Sequence, residues 1–313
     1  MCGIIGYVGR QPALPILLGG LRRLEYRGYD SAGIALQEPS GQLTTVRAVG
    51  KVARLTEKVN VQLPPAAQVA AQTGIAHTRW ATHGAPTEAN AHPHAAAAGR
   101  LCLVHNGIIE NYRAIRARLE AKGHIFVSET DTEALARLIG EHYQGDLRKA
   151  VGQALAQVEG AYGIAVLAVD QPGVLVVARK GSPLVLGLGD GETLVASDAA
   201  ALVAHTRRVI YLDDGDIAVL TAESVDIRDR HDVIREREVA ELGLTAGAVE
   251  KGGYAHFMLK EIYEQPESVR NALRGRLDAE HGTAVLAGMG TSSRDLAEIQ
   301  RIILVGCGTS LHA

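Results

Sequence analysis

Removal of Met1 would leave Cys2 as the first residue, with a thiol and a free α-amine on one carbon skeleton. That is a nucleophile with a base attached. Unperturbed, the thiol titrates near ~8.5 and an α-amine near ~7.7–8.0, so at neutral pH a proton can pass between them. Four further polar clusters lie in the first half of the chain. His77-Thr78-Arg79-Trp80-Ala81-Thr82-His83-Gly84 sets the single Trp of the chain beside an Arg at a strand end, which by itself reads equally as a core Trp with an Arg at the rim. In Asn90-Ala91-His92-Pro93-His94, two His flanking a Pro invite a metal reading. No acid or third His stands at ligand spacing, so a polar loop that shapes a pocket is the better reading. In His105-Asn106-Gly107 the Asn-Gly pair is by default a tight turn. Its chemical reading is an Asn amide and a following backbone N–H that converge on one point, as a developing oxyanion requires, with Gly107 allowing close backbone approach. In Ser128-Glu129-Thr130-Asp131-Thr132-Glu133, Thr130 or Asp131 can cap a helix, and a carboxylate there can also bind a ligand ammonium.

Ile4, Ile5, Tyr7 and Val8 read as a buried strand that begins at once and ties the terminus down, where most termini fray. Ala13 to Leu24 puts Leu14, Leu17, Leu18, Leu21 and Leu24 on one helical face, with Arg22 and Arg23 in the last turn. Ile34–Leu36, the turn Pro39–Gln42 and the strand Leu43–Val49 make a hairpin. Strands are expected at Thr73–His77 and Leu101–His105, and helices at Asn111–Lys122, Asp131–Tyr143 and Leu147–Val158. A β-rich block follows, with strands at Tyr162–Val169, Val174–Arg179, Leu184–Leu188, Thr193–Ala196, Val209–Leu212 and Asp216–Thr221. Helices between two sets of antiparallel strands point to a layered α+β domain with two sheets between helical layers. Charges cluster after Arg228 and a Gly-rich run follows, so 229–253 reads as a linker between a domain at 1–228 and a second one at 254–313. There a helix is expected at Ala255–Leu277, with Pro266 able to bend it, a short helix at Arg294–Gln300, and a buried strand at Ile302–Val305 that leads into Gly306-Cys307-Gly308-Thr309-Ser310.

The chain has 313 residues, a net charge of −3 and three Cys. The length favours two domains, and the charge implies no nucleic-acid partner. Three thiols in so long a chain make no disulfide framework and fit no zinc spacing, which suits a reducing compartment. With no signal sequence, myristoylation signal or membrane-length apolar run, a cytoplasmic protein is expected.

Cys2-Gly3-Ile4, Leu24 to Gly33, His77 to Gly84, Asn90 to His94, His105 to Asn111 and Ser128 to Glu133 together resemble the glutaminase domain of the glutamine–fructose-6-phosphate aminotransferase family. The likeness continues through Lys260-Glu261-Ile262-Tyr263-Glu264-Gln265-Pro266 to the Gly306–Ser310 loop, and so covers nearly the whole chain. Cys-Gly-Ile is shared with other N-terminal-nucleophile amidotransferases, which leaves open a relative with another acceptor, or a non-catalytic module if Met1 is kept. The resemblance implies a four-layer αββα N-terminal-nucleophile (Ntn) hydrolase, class II glutamine amidotransferase fold, followed by a truncated α/β phosphosugar isomerase (SIS) domain. It implies Cys2 as nucleophile, Asn106 and Gly107 as oxyanion donors, and Arg79, Trp80, Thr82, His83, His92 and Asp131 around glutamine, with Trp80 gating ammonia transfer. Thr309 and Ser310 match the family's sugar-phosphate loop. It implies no cofactor and no metal, fructose 6-phosphate as acceptor in the full-length protein only, and a homodimer formed through the isomerase domain. A chain ending at Ala313 is expected to hydrolyse glutamine without making glucosamine 6-phosphate.

Overall fold

The strand β1 (Gly3–Gly9) is buried at every position in a computed structural model of the chain, because both of its faces are covered. The structure describes residues 2–65, 68–81, 84–243, 253–273, 277–278, 283–284, 298–301, 303 and 305–306. Ile5 and Tyr7 of β1 face a helical layer, whereas Ile4 and Val8 face a second sheet. A strand covered on both sides reads as a continuous apolar run, not as an alternation.

The chain divides into two compact units, Met1–Glu250 and Lys251–Ala313. In the first, β1 is joined by β2 (Ser31–Gln37), β3 (Leu43–Val49), β4 (Thr73–Arg79), β9 (Val185–Leu188), β10 (Glu192–Ala196), β11 (Arg208–Tyr211) and β14 (Ala240–Glu241). They form an eight-stranded antiparallel sheet in the order β14-β11-β9-β10-β1-β4-β2-β3. A six-stranded antiparallel sheet contains β5 (His94–Ala96), β6 (Leu101–Ile109), β7 (Gly160–Ala168), β8 (Leu175–Lys180), β12 (Ile217–Leu220) and β13 (Val225–Arg228). Its order is β13-β12-β8-β7-β6-β5.

Helices α1 (Ala13–Leu24) and α2 (Val52–Gln62) cover the outer face of the larger sheet. Helices α3 (Tyr112–Ala121), α4 (Asp131–His142) and α5 (Leu147–Leu155) cover that of the smaller. Leu17, Leu21 and Leu24 of α1 are fully buried, each worth about 1.5–3 kcal/mol relative to exposure. Between the sheets lies a third apolar layer, with Ile4, Ile75, Cys102, Val104, Ala165 and Val195 among its members. The arrangement is the expected αββα sandwich.

Two expectations are corrected, and one helix is added. The strand expected to stop at His105 runs on to Ile109, because Asn106 and Gly107 pair with Gly163 and Tyr162 of β7. They are ladder residues and not a hairpin turn. The segment after Arg228, read as linker, is bound to the first unit through its first part: β14 pairs with β11, and Arg237 donates to both Asp216 oxygens. Asp229, Asp232, Arg235 and Arg237 stand in ion pairs, whereas Arg230, Glu236 and Glu238 are exposed. α2 was not expected, although Val52, Leu55 and Val59 give it a buried face at helical spacing.

In the second unit, α6 (Phe257–Leu273) contains Pro266, within the expected helical stretch. The Arg294–Gln300 helix and the Ile302–Val305 strand fall largely outside the described residues, as do Thr309 and Ser310 entirely.

Candidate active site

Side chains alternate across a strand, and this sets the site. On β4, Ile75 faces the smaller sheet, and His77 and Arg79 follow it at the same parity; on β6, Cys102 and Val104 face the larger sheet, and Asn106 follows them. Cys2 lies two residues before Ile4 of the same inner layer. The polar residues therefore gather at one end of the space between the sheets, where the apolar layer stops.

Cys2 is held by backbone. Its Sγ accepts from the Trp80 N–H at 3.3 Å and lies 3.5 Å from the Trp80 carbonyl oxygen, to which the thiol donates. Burial pushes the thiol pKa up, and the Trp80 N–H and the Arg79 charge oppose it. The Asn106 carboxamide donates through Nδ2 to the Cys2 carbonyl at 3.1 Å, and its Oδ1 lies 3.0 Å from Nε2 of His77. Gly107 has φ +125°, and a Cβ placed on it would stand 2.1 Å from the Ala161 carbonyl oxygen. Only glycine fits there without strain.

Arg79 is 4% exposed, and its guanidinium donates to the carbonyls of Gly84 and Ala85 at 3.3 and 3.2 Å. Thr130 is the N-cap of α4: its hydroxyl accepts from the Glu133 N–H, and the Glu133 carboxylate reaches back to the Val127 and Ser128 N–H groups. With Thr130 as the cap and Glu133 turned back to the preceding loop, Asp131 is the first helical residue, free of cap duty. Its Oδ2 accepts from the Ile109 N–H at 2.9 Å, and the helix N-terminus favours its negative charge. Trp80 is 45% exposed, with its ring edge-on to Tyr29, and Asp30 holds the next residue by accepting from the Ala81 N–H at 2.8 Å.

Cys2, Arg79, Trp80, His92, Gly107 and Asp131 line one small cleft. Of the residues expected at the site, Thr82 and His83 lie outside the described ones. A roomier cavity of about 630 Å³ opens beside Lys180, Asp214 and Arg237. Its lining includes charges already paired with one another, such as Arg237 with Asp213 and Asp216, and no thiol. The chemistry therefore belongs to the smaller cleft. A thiol, two N–H donors, a guanidinium and a carboxylate around it can attack a carbonyl carbon, hold the oxyanion that forms and grip a zwitterion.

Behind the cleft stands a layer of buried histidines: His92, expected around glutamine and lining the cleft, and His77, His94 and His105, to which the sequence assigned no role. His77 stacks on His92 with ring centroids 4.1 Å apart, His92 Nδ1 accepts from the His105 N–H, His105 Nδ1 meets Thr132 Oγ1, and His94 Nε2 meets Thr130 Oγ1. For His77 the available signal was its parity with Arg79, two residues further along one strand. Among the described residues no group of three or more His, Cys, Asp or Glu is placed to hold a metal ion.

Burial lowers the pKa of His77 and of His94 to about 3 and holds His92 well below 6.5. The unfolded chain takes up these protons near pH 6.5 and the folded chain does not. Stability is therefore full above about pH 7 and falls as the pH drops below the unfolded histidine value. The urea midpoint is expected to drop clearly between pH 7 and pH 5, with a shallower slope in His94→Gln. Equal stability at the two pH values would show these imidazoles to be charged or solvated.

Among the described residues no helix is long and apolar enough to cross a membrane. Residues 65–256 match the glutamine amidotransferase domain family. The chain is 50% identical over its whole length to a glutamine--fructose-6-phosphate aminotransferase [isomerizing] of Chlorobaculum tepidum, covering 51% of that protein. It is 51% identical to a protein of the same name from Thermus thermophilus, covering all of this chain and 50% of that one. The chain thus spans about half the length of the curated relatives it matches. Among solved structures, the glutamine phosphoribosylpyrophosphate amidotransferase of B. subtilis, complexed with ADP and GMP, superposes with a TM-score of 0.62 at 27% identity, over 73% of this chain and 49% of that one. With a family model matched over more than half of the chain and a sandwich shared with the solved amidotransferase, the chain belongs to the glutamine amidotransferase domain family.

Proposed function

We propose that this chain hydrolyses the side-chain amide of glutamine through a thioester on Cys2, once Met1 has been removed. The observation that carries this is the convergence of Cys2, Arg79, Gly107 and Asp131 on one cleft, with Asn106 bonded to the Cys2 backbone. Arg79 takes the substrate α-carboxylate and Asp131 the α-ammonium, which leaves the amide carbon facing Sγ. The α-amine of Cys2 accepts the thiol proton, and the thiolate adds to the carbon. The oxyanion is held by Asn106 Nδ2 and the Gly107 N–H. The same amine returns its proton to the leaving nitrogen, so ammonia departs and the thioester remains. Water then adds, the C–S bond breaks, and glutamate leaves with the thiol restored. Trp80, exposed at the rim beside the sulfur, is placed to govern what leaves and enters.

The relatives' name supplies the acceptor of this reading: ammonia is passed to fructose 6-phosphate, giving glucosamine 6-phosphate, in a protein of the relatives' full length. Identity near 50% to proteins of that name, against 27% to the phosphoribosylpyrophosphate enzyme, favours this acceptor over the other. Release of glutamate and ammonia from glutamine by the purified chain tests the glutaminase step. Failure to release either from a chain shown to lack Met1 would remove it.

Arg79→Lys is expected to raise KM for glutamine about 10- to 100-fold with kcat nearly unchanged, because one ammonium cannot replace a two-pronged, charge-assisted grip worth about 1.5–3 kcal/mol per bond. Steady-state kinetics decides this, and an unchanged KM would place the carboxylate elsewhere.

A further inference from the structure

The geometry points to His77 as the positioning residue of the oxyanion site: its Nε2–H fixes which end of the Asn106 carboxamide faces the reacting carbon. This rests on the glutaminase reading above. His77 is fully buried, on β4 of the larger sheet, yet its ring reaches Asn106 on β6 of the smaller one. Its Nε2 lies 3.1 Å from the His105 carbonyl oxygen and 3.0 Å from Asn106 Oδ1. Two oxygen acceptors at one ring nitrogen require a proton on that nitrogen.

The opposite orientation of Asn106 fails twice. Turned over, the carboxamide would set Oδ1 against the Cys2 carbonyl oxygen, acceptor on acceptor, at the place where Nδ2 now donates at 3.1 Å. It would also present an N–H donor to the N–H of His77. The observed orientation satisfies both contacts and leaves the second Nδ2 hydrogen for an oxyanion. A carbonyl facing Nε2 from β6 and stacking on His92 hold the ring itself in place. Burial keeps His77 neutral down to about pH 3, with Arg79 and His105 opposing its charge, so the donor persists throughout the working range.

His77→Phe keeps a ring of similar size against His92 and removes the donor. On the full chain it is expected to lower kcat for glutamate release about 100-fold with KM within about threefold, the loss that follows when an oxyanion donor is misplaced. His77→Gln, whose amide N–H can reach the same oxygens, is expected to recover at least about tenfold of that. The double variant His77→Phe with Asn106→Ala is expected to be no slower than Asn106→Ala alone, since His77 acts through that side chain. Wild-type kcat in His77→Phe, or losses that multiply in the double variant, would overturn the proposal while leaving the glutaminase reading intact. A wild-type chain lacking Met1 that releases no glutamate would overturn both. Imidazole nitrogen NMR gives a readout without turnover: in Cys2→Ala protein, His77 is expected as the neutral Nε2–H tautomer from pH 5.5 to 8. An Nδ1–H tautomer or a charged ring would overturn the proposal whether or not the Phe variant folds.

Discussion

Cys2→Ser is expected to lower kcat for glutamate release by about 10³–10⁵-fold, in the range found when a covalent nucleophile is removed. The reason lies in the proton inventory of the cleft. Burial already raises the Cys2 thiol pKa, and the Trp80 N–H and the Arg79 charge return only part of that. A thiol can still surrender its proton to an α-amine of comparable pKa, whereas an alcohol, many units weaker as an acid, cannot. The serine hydroxyl can occupy the same place, because Sγ meets only the Trp80 backbone N–H and carbonyl in the bonds it makes. The folded state should therefore survive with an unchanged thermal midpoint, so that lost turnover reports chemistry and not folding. Residual activity above about 1% of wild type would contradict a thioester on this residue.

Gly107→Ala is expected to cost about 10²–10³-fold in kcat and to lower stability measurably, although it adds a single methyl group. The backbone there has φ +125°, strained by about 1–3 kcal/mol for any residue with a Cβ. That Cβ would also stand 2.1 Å from the Ala161 carbonyl oxygen, a backbone atom that cannot swing aside. Gly107 must then shift off its register with Tyr162, and its N–H moves away from the point it shares with Asn106 Nδ2. A misplacement near 1 Å or the loss of one oxyanion donor costs turnover of this order. Kinetics paired with a denaturation curve separates the two effects: the kcat loss should persist at temperatures where the variant is fully folded. Full activity in Gly107→Ala would move the oxyanion donors elsewhere.

Much of the layered fold is legible in local patterns. The leucine spacing from Leu14 to Leu24 gives α1 its bounds, and the strands of the β-rich block fall where short apolar runs are bounded by turn residues. What the local pattern misreads is decided by partners distant in sequence. Asn106-Gly107 has the local signature of a turn, and it is kept in a strand by Gly163 and Tyr162 on the neighbouring β7. Arg237, at the end of a charged run that reads as solvated, is paired by Asp213 and Asp216 from a loop distant in sequence. The site behaves in the same way. Cys2, Arg79, Asn106 and Asp131 come from four different parts of the chain, next to β1, at the end of β4, within β6 and at the start of α4, and no spacing along the chain relates them; the family likeness named their roles. The His77–Asn106 bond joins residues 29 positions apart on different sheets, so neither composition nor periodicity could show it.

The most direct test joins the terminus to the sulfur in one mass measurement. The purified chain is treated with an electrophilic glutamine analogue that alkylates a thiol from the glutamine position, with and without excess glutamate, and intact and peptide masses are read. Loss of Met1, a single adduct on Cys2 and protection by glutamate are expected, with Cys102, buried and 2% exposed, unmodified. A chain lacking Met1 that takes no adduct on Cys2, or takes it equally in the presence of saturating glutamate, would contradict a cysteine nucleophile set in a glutamine-shaped cleft.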